Sequence, residues 1–312
     1  MTALTGRARP GAGSTRSRKW LTIALFLLPG LALYLVFVIV PIIQAAHFSL
    51  YRWNGLTPLT DFIGLRNYQA AFSSGTFWQA AGNNVFVIVL SLAIQVPFSL
   101  ALAVLLNRRF PGRAIFRLLF FVPYVLSEAI TGIVFRLLLQ PDSVIDSGLK
   151  TAGLGGLVQD WLGDSTIVMF TLFVIITWKY FGFHMIIMLA GLQGIPRELE
   201  EAAYIDGADR RQAFRHVTLP LLGPTIRVSV FLSIIGALQL FDMVWVMTGG
   251  GPVNATNTMA INMFKTGFVR QQMGYGSALA VILFLCALVV ALLYQRYVLR
   301  RDIDGAVTAY NG

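Results

Sequence analysis

Among the ionisable side chains inside otherwise apolar stretches of this sequence are Glu128, Lys179 and Asp242. Asp242 is followed three residues later by Trp245. A carboxylate in such a stretch can accept hydrogen bonds from the hydroxyl groups of a polar solute, and an indole face can cover an apolar ring. Charged groups in apolar segments are costly and usually face a protein interior or a water-filled path. These four residues are therefore predicted to lie along a solute path.

The charged residues also have structural interpretations, which the sequence leaves open. Asp242 can cap a helix or form an ion pair at the outer edge of a helix bundle. Lys179 can pair with a carboxylate on another subunit. Arg136, two turns after Glu128, is predicted to extend toward the outer interface, as long basic side chains near helix ends do. His184 is predicted to be a packed, hydrogen-bonded helix residue.

No metal site and no catalytic group is predicted. The single cysteine, Cys286, excludes an internal disulfide, and the three histidines are too far apart along the chain for a metal-ligand motif. Paired aspartates of the N-x-x-x-D-x-x-x-D type, H-E-x-x-H and a serine nucleophile elbow are all missing. These absences argue against an intramembrane enzyme.

The elements that carry these residues are membrane spans. Of the 312 residues, 12% are charged and 56% are hydrophobic, whereas a soluble domain carries about 25% charged residues. A spanning helix needs about 20 mostly apolar residues, and six segments of that kind predict an all-α polytopic membrane protein with six transmembrane helices. The predicted spans are Trp20–Ala46, Gly82–Leu106, Leu118–Leu139, Thr166–Leu192, Leu219–Met247 and Tyr275–Val298.

The distribution of basic residues predicts the orientation. Sixteen of the 24 Lys and Arg residues lie in the two terminal tails and in the segments after spans two and four, whereas the opposite loops carry five. By the positive-inside rule, both termini are therefore predicted to be cytoplasmic. This bias accounts for most of the net charge of +10 without a nucleic-acid partner. The predicted organisation is a disordered basic tail over 1–19, a six-helix domain over 20–301 and a C-terminal tail over 302–312.

One cytoplasmic segment, residues 194–218, is more than a connector. Pro196 fits the first turn of a helix, acidic residues follow at the end where the helix dipole favours them, and Ala202 and Ala203 give a small apolar face. Gly207 then allows a turn into a second, basic helical stretch. Such a segment can rest on lipid headgroups or dock into a groove of a partner. The acidic start and the alanine pair favour the partner, because lipid-binding helices use Lys or Arg with Trp, Phe or Leu.

These residues resemble the EAA loop of ABC importer permeases. The match follows the motif almost completely; its residues are Glu201, Ala202, Ala203, Asp206, Gly207, Ala208, Phe214, Val217, Leu219, Pro220 and Pro224. Segments 62–68 (FIGLRNY), 241–252 (FDMVWVMTGGGP) and 274–280 (GYGSALA) resemble the maltose-type carbohydrate permeases. The resemblance covers about residues 20–301 and implies the type I ABC importer permease fold in its compact six-span form.

The resemblance also implies partners in a bacterial or archaeal cell membrane. These are a second homologous permease, two ABC ATPase subunits, an extracytoplasmic solute-binding protein and membrane lipid. The chain has no G-x-x-x-x-G-K-[ST] motif, so ATP and Mg²⁺ are expected in the ATPase partner and no cofactor in this chain. Glu201 would dock in the ATPase, the two alanines would fit its narrow cleft, and Gly207 would set the turn.

The solute and the transport class stay open at this point. A sugar is expected from the resemblance, with a polyol, a glycerol phosphate or an amino sugar as alternatives. Glu128 departs from the family's pattern and is the first choice for a residue that sets solute preference. An ATP-independent secondary transporter would also explain six spans with buried charges, but it would not explain the EAA segment.

Overall fold

The computed structural model describes residues 12–108 and 110–299, with side chains from residue 22 onward. Apart from one isolated bridge between Tyr51 and Phe62, all regular structure in this part of the chain is helical. Four helices are long and apolar enough to cross a membrane, and the number becomes six if each of two sharply bent helix pairs counts as one span. The prediction of an all-α protein with six spans is therefore confirmed, although two of the spans are not straight.

The first span stands apart from the rest of the chain. It consists of α1 (Ala12–Tyr34) and α2 (Val40–Phe48), which a π-helical segment joins. Helix α1 begins inside the segment 1–19 that the sequence predicts as a tail, while residues 1–11 lie outside the described part. None of the residues in the most apolar stretch of Thr22–Phe48 is buried within the part of the chain that the structure describes. Helix α2 packs against the last span.

The second span is continuous from Gly75 to Asn107 and is longer than predicted. A short helix, α3 (Arg66–Phe72), precedes it, and the span itself is α4 (Gly75–Leu90) and α5 (Val96–Asn107), with a π-helical segment over Ser91–Gln95 between them. Proline lies at the start of α5 and has no N–H group to donate to the preceding turn. This fits the π-helical segment before it, because the hydrogen bonds of a π-helical turn already depart from the regular α-helical pattern.

The third span is broken, in contrast to the continuous helix predicted over Leu118–Leu139. Helix α6 (Arg113–Val125) and helix α7 (Glu128–Leu138) meet at an angle of 94°. The carbonyl groups of Pro123 and Leu126 at this break accept hydrogen bonds from the ammonium group of Lys179. A side chain therefore supplies donors that a continuous helix would have supplied from its next turn.

The fourth span forms the centre of the molecule. After α8 (Val144–Thr151) in the connection between the third and fourth spans, α9 (Val168–Gln193) runs for 26 residues and contributes to two of the three hydrophobic clusters. It packs closely on α6 at Gly182, where a Cβ atom would collide with the carbonyl oxygen of Phe120. The predicted span over Thr166–Leu192 is confirmed.

The fifth span is also interrupted, and the predicted helix over Leu219–Met247 is three separate pieces. The helices α10 (Arg197–Ile205) and α11 (Arg210–Ala213) lead into α12 (Leu219–Leu221), and the chain then bends by 64° into α13 (Gly223–Leu238). Pro224 at the start of α13 has no N–H to continue the preceding helix, which favours a bend there. After a second interruption, α14 (Asp242–Met247) begins at Asp242 itself.

The last span closes the bundle. Helix α15 (Met259–Phe264) is followed by a π-helical segment, Lys265–Val269, and α16 (Met273–Tyr294) continues through another π-helical segment to Leu299. The close approach of Lys265–Val269 to α16 requires glycine, because a Cβ atom on Gly276 would lie 2.6 Å from the Cα atom of Gly267.

Candidate functional sites: a polar cavity and an exposed helix–turn–helix segment

A cavity of about 460 Å³ lies where both broken spans are interrupted. The second span, α9 and the C-terminal half of α13 form its walls, and the first residues of α7 and α14 face it. Its polar lining consists of Ser91, Gln95, Tyr124, Glu128, Tyr180, His184, Ser233, Gln239 and Asp242. Discontinuous helices at such a position are a recurrent way to present polar groups to a solute within a membrane.

Glu128 is half-buried in this cavity and is the first residue of α7. The hydroxyl group of Tyr180 donates a hydrogen bond to its Oε1 atom. Because α7 turns away from α6 at the break, Glu128 projects at the start of a new helix, where the dipole of α7 also favours a negative charge. The break therefore positions Glu128 in the cavity.

Asp242 occupies the corresponding place in the fifth span. It is the first residue of α14, it is exposed, and it lines the same cavity as Glu128. The two helices that these carboxylates begin, α7 and α14, pack against each other, and Gly132 of α7 lies against Val246 of α14. The structure thus brings together two carboxylates that are 114 positions apart in the sequence.

Aromatic rings form one side of the cavity. The rings of Tyr124 and Phe183 are stacked, with centroids 4.6 Å apart and an angle of 16° between their planes, and Tyr180 meets Tyr124 edge-on. An aromatic face next to carboxylates and amides suits a solute that has both hydroxyl groups and an apolar ring face.

Two of the residues predicted on the solute path, Lys179 and Trp245, do not line this cavity. Lys179 is buried, with 2% of its surface exposed, and its ammonium group bonds to backbone carbonyls at the break of the third span rather than lining the cavity. Trp245 stacks on Phe241 with centroids 5.9 Å apart and meets Phe264 edge-on, as part of an aromatic cluster beside the core.

His184 lines the cavity but has both ring nitrogens occupied. Nδ1 lies 2.7 Å from Ser229 Oγ, and Nε2 lies 3.2 Å from Ser233 Oγ. This is the packed, hydrogen-bonded arrangement predicted from the sequence. Arg136 lies outside the cavity and donates to the carbonyl oxygen of Val246 at 3.3 Å, which ties α7 to α14.

Several lining residues were not singled out from the sequence. Tyr124 and Tyr180 are aromatic residues among many in apolar spans, so their type alone carries little information. Gln95 and Gln239 are different, because an uncharged amide within an apolar span is rare enough to be a signal. These two amides, like the charged residues, could therefore have been identified from the sequence as candidates for the lining.

The second site is the segment that contains α10 and α11. The glycine turn between them is a true left-handed turn, with Gly207 at φ +86°. The N–H groups of Gly207 and Ala208 close the end of α10 on the carbonyl oxygens of Tyr204, at 3.1 Å, and Ala203, at 2.9 Å. Asp209 then caps α11 by accepting from the N–H of Gln212 at 2.8 Å. This turn fixes the direction of α10 relative to the helix that follows.

The face of α10 that carries the motif is open. Glu201, Ala202, Asp206 and Gly207 are exposed, as is Pro220, whereas Ala203, Ala208, Phe214 and Leu219 are half-buried. Ile205, with 87% of its surface exposed, extends this open face, although the sequence analysis did not single it out. An exposed apolar side chain next to an alanine face is typical of a docking surface.

Neighbouring glutamates on α10 have different environments. Glu201 is exposed, whereas Glu200 is half-buried and accepts a hydrogen bond of 2.7 Å from the hydroxyl group of Thr218. Thr218 directly precedes α12, so this bond ties α10 to the start of the fifth span. A groove of about 720 Å³ beside it is lined by both glutamates and by Arg210 and Arg211.

Comparisons with known proteins match most of the chain to permease components of transport systems. The model of the family described as "Binding-protein-dependent transport system inner membrane component" matches residues 95–302. A probable ABC transporter permease protein of Pyrococcus horikoshii is 36% identical over 274 residues, which are 87% of this chain and 94% of that protein. The multiple sugar-binding transport system permease protein of Streptococcus mutans is 34% identical over 275 residues, 86% of this chain and 92% of its own length.

Among solved structures, a chain from a bacterial ABC transporter involved in the import of the acidic polysaccharide alginate has a similar fold. The TM-score is 0.79 at 24% identity, and the match covers 92% of this chain and 98% of the other. At this identity the similarity supports the shared fold.

Proposed function

We propose that this chain, which belongs to the family of binding-protein-dependent transport system inner membrane components, is the permease subunit of an ATP-driven importer for a sugar. The substrate class would be a mono- or oligosaccharide or a related polyol or amino sugar. One observation carries the proposal: a single stretch of chain connects the open face of α10 to the cavity. The chain continues from α10 through α11 and α12 into α13, whose residues Ser233 and Gly236 line the cavity. The hydrogen bond between Glu200 and Thr218 also ties α10 directly to the start of α12.

This connection suggests how ATP hydrolysis in another subunit would act on the solute. A partner that binds the exposed face of α10 moves it as a rigid piece, because the Gly207 turn and the Asp209 cap fix it to the following helices. The bend of 64° before α13 is the point where that movement reaches the membrane-spanning part. The cavity would then open alternately to the two sides, as in other transporters that rock rigid bodies around a central site.

The partners are part of the proposal. Two ABC ATPase subunits would bind ATP and Mg²⁺ and contact Glu201, Ala202 and Ala203. A second homologous permease would cover the first span, whose most apolar stretch is buried by nothing in this chain. An extracytoplasmic solute-binding protein would deliver the sugar at the outer face. A solved structure of similar fold contains an alginate transporter in complex with an alginate pentasaccharide-bound periplasmic protein.

The family and the charge pattern support a location in the membrane and an orientation in it. The family description names an inner membrane component, and the chain would span the membrane of a bacterial or archaeal cell. Both termini would be cytoplasmic, because the basic residues concentrate on that side. This orientation places the exposed face of α10 in the cytoplasm, where the ATPases are.

The test is ATP-dependent uptake by the complete importer in liposomes. The two permeases and the ATPases are reconstituted, the solute-binding protein is added outside, and uptake of radiolabelled sugars is measured with and without enclosed ATP. We expect uptake only with ATP and only with an active ATPase. Uptake that continues with an inactive ATPase would overturn the proposal in favour of a secondary transporter.

A further inference from the structure

The fixed charges of the cavity have one sign. Among the described residues that line it, Glu128 and Asp242 are carboxylates, and no lysine or arginine is present. The remaining polar lining consists of amides, hydroxyl groups and His184, whose ring nitrogens are both engaged with serines. The lining therefore offers acceptors and neutral donors to a solute, together with two negative charges.

Both carboxylates are available to a solute. Glu128 receives one hydrogen bond, from Tyr180 to Oε1, which leaves its second oxygen unoccupied by any described residue. Asp242 is exposed, and within the described part of the chain no hydrogen bond or ion pair engages its carboxylate. Neither is neutralised by a direct ion pair, because the ion pairs of the described residues join Arg52 to Asp61 and Lys150 to Asp142 in the outer loops.

The nearest cation in the sequence does not balance this charge inside the cavity. Lys179 precedes the cavity residue Tyr180, yet its ammonium group is directed to the carbonyl oxygens of Pro123 and Leu126. From this position the positive charge of Lys179 attracts Glu128 and makes the electrostatic potential in the cavity less negative. The ammonium group is nevertheless bonded to the backbone and donates no hydrogen bond to a solute in the cavity. An anionic group in the cavity would therefore meet two carboxylates and no cationic side chain of this chain.

We propose that Glu128 and Asp242 make this cavity selective for neutral and cationic polyhydroxylated solutes, namely neutral sugars and amino sugars, over uronic acids and sugar phosphates. This inference rests on the proposed sugar-import function and specifies its substrate class. The alginate transporter of similar fold imports an acidic polysaccharide, so the fold by itself does not set the charge of the solute. In this chain the side chains at the two helix breaks set it.

The first experiment measures the sign of the potential without any assumption about the substrate. Gly236 lines the cavity, and a Cβ atom placed on it meets nothing within 4 Å, so Gly236→Cys introduces a thiol there without a clash. The native cysteine is removed by Cys286→Ser. The assembled importer is then reacted with methanethiosulfonates that carry a trimethylammonium group or a sulfonate group, and each rate is divided by that reagent's rate with 2-mercaptoethanol.

We expect the cationic reagent to react about tenfold faster after this correction, because two unit charges at cavity distances act through an effective dielectric constant well below that of water. The Glu128→Gln/Asp242→Asn double variant should bring the ratio close to one. Asp160→Asn, which removes an exposed carboxylate of the outer loop, is the matched control and should leave the ratio unchanged. Equal corrected rates in the Gly236→Cys protein with both carboxylates present would overturn the proposal, whether or not the double variant folds.

The second experiment measures transport by the same importer. Glucose, glucosamine and glucuronate, each also as a short oligomer, are supplied at concentrations at which the solute-binding protein is saturated. We expect at least about tenfold slower uptake of the acidic sugars than of the other two, and a smaller difference in the double variant. Acidic sugars that are carried as fast as neutral ones would contradict the proposal. If no sugar is carried while the cationic reagent keeps its advantage, the sugar-import function fails and the cation preference of the cavity stands.

Discussion

The ammonium group of Lys179 donates a hydrogen bond to the carbonyl oxygen of Leu126, two residues before Glu128 begins α7. One break in the third span therefore has two effects. It brings Glu128 into the cavity as the first residue of a new helix, and it directs Lys179 away from the cavity to the carbonyl groups that the break leaves without helical partners. Glu128 and Lys179, both charged residues within apolar spans, thus have different surroundings.

Replacement of Lys179 tests this structural function. Lys179→Met keeps the length and the apolar stem but leaves the carbonyl groups of Pro123 and Leu126 without their donor. We expect a loss of stability of about 1–3 kcal/mol, as for other buried polar groups that lose a partner, measured as a lower melting temperature of the purified importer in detergent.

Lys150→Met is the control for this prediction. Lys150 lies in the outer loop and pairs with Asp142 at 3.0 Å, with both side chains exposed. Such a surface pair contributes about 1 kcal/mol or less, so we expect little change in melting temperature. Equal melting temperatures of the Lys179→Met variant and the wild type would contradict a structural function for Lys179.

Removal of the exposed carboxylate on α10 tests the docking surface. Under the proposed function, Glu201→Ala would remove a charge-assisted contact of about 1.5–3 kcal/mol with the ATPase, which corresponds to a roughly ten- to hundredfold loss in docking affinity. Stimulation of ATP hydrolysis by the loaded binding protein, measured in the reconstituted complex, should fall with transport. Glu198→Ala removes another exposed carboxylate of α10, outside the EAA motif, and should retain stimulation. Equal stimulation in both variants would contradict a docking function for Glu201.

The conformation of Gly207 predicts an order among substitutions. A Cβ atom at this position meets nothing within 4 Å, so the cost arises from φ +86° and not from a collision. Asparagine adopts the left-handed region more readily than a β-branched residue does. We therefore expect transport to decrease in the order wild type, Gly207→Asn, Gly207→Val, with normal amounts of all three proteins in the membrane. Transport by Gly207→Val at or above the level of Gly207→Asn would exclude backbone strain as the cause.

Thiol labelling tests the orientation. In a Cys286→Ser background, a membrane-impermeant thiol reagent added to intact spheroplasts should label Gln159→Cys in the outer loop. It should label Arg211→Cys, next to the Gly207 turn, only after the membrane is opened; both native side chains are exposed. The reverse labelling pattern would place the termini outside and would remove α10 from the compartment that contains ATP.

The sequence by itself determined the class of the protein. A span is recognised from composition because the membrane interior requires about 20 consecutive apolar residues, whatever the neighbouring helices do. The EAA segment could likewise be identified locally, because Gly207 and the residues on either side of it form one helix–turn–helix unit. The family and the helical fold were therefore predicted correctly, and the docking function of Glu201 stays a prediction.

Only the tertiary structure decided where the polar residues lie relative to one another. Leu118–Leu139 and Leu219–Met247 are apolar enough for continuous spans, but both are broken in the structure. Pro224 is a local reason for the bend in the fifth span, whereas the break in the third span has its carbonyl groups bonded by Lys179 from a different helix. Whether a charge lines a cavity or satisfies a backbone carbonyl depends on groups that are distant in the sequence. Glu128 and Asp242 line one cavity, whereas Lys179 bonds to backbone carbonyls, because the backbone groups at a helix break within the membrane need partners. Trp245 packs against Phe241 and Phe264 instead.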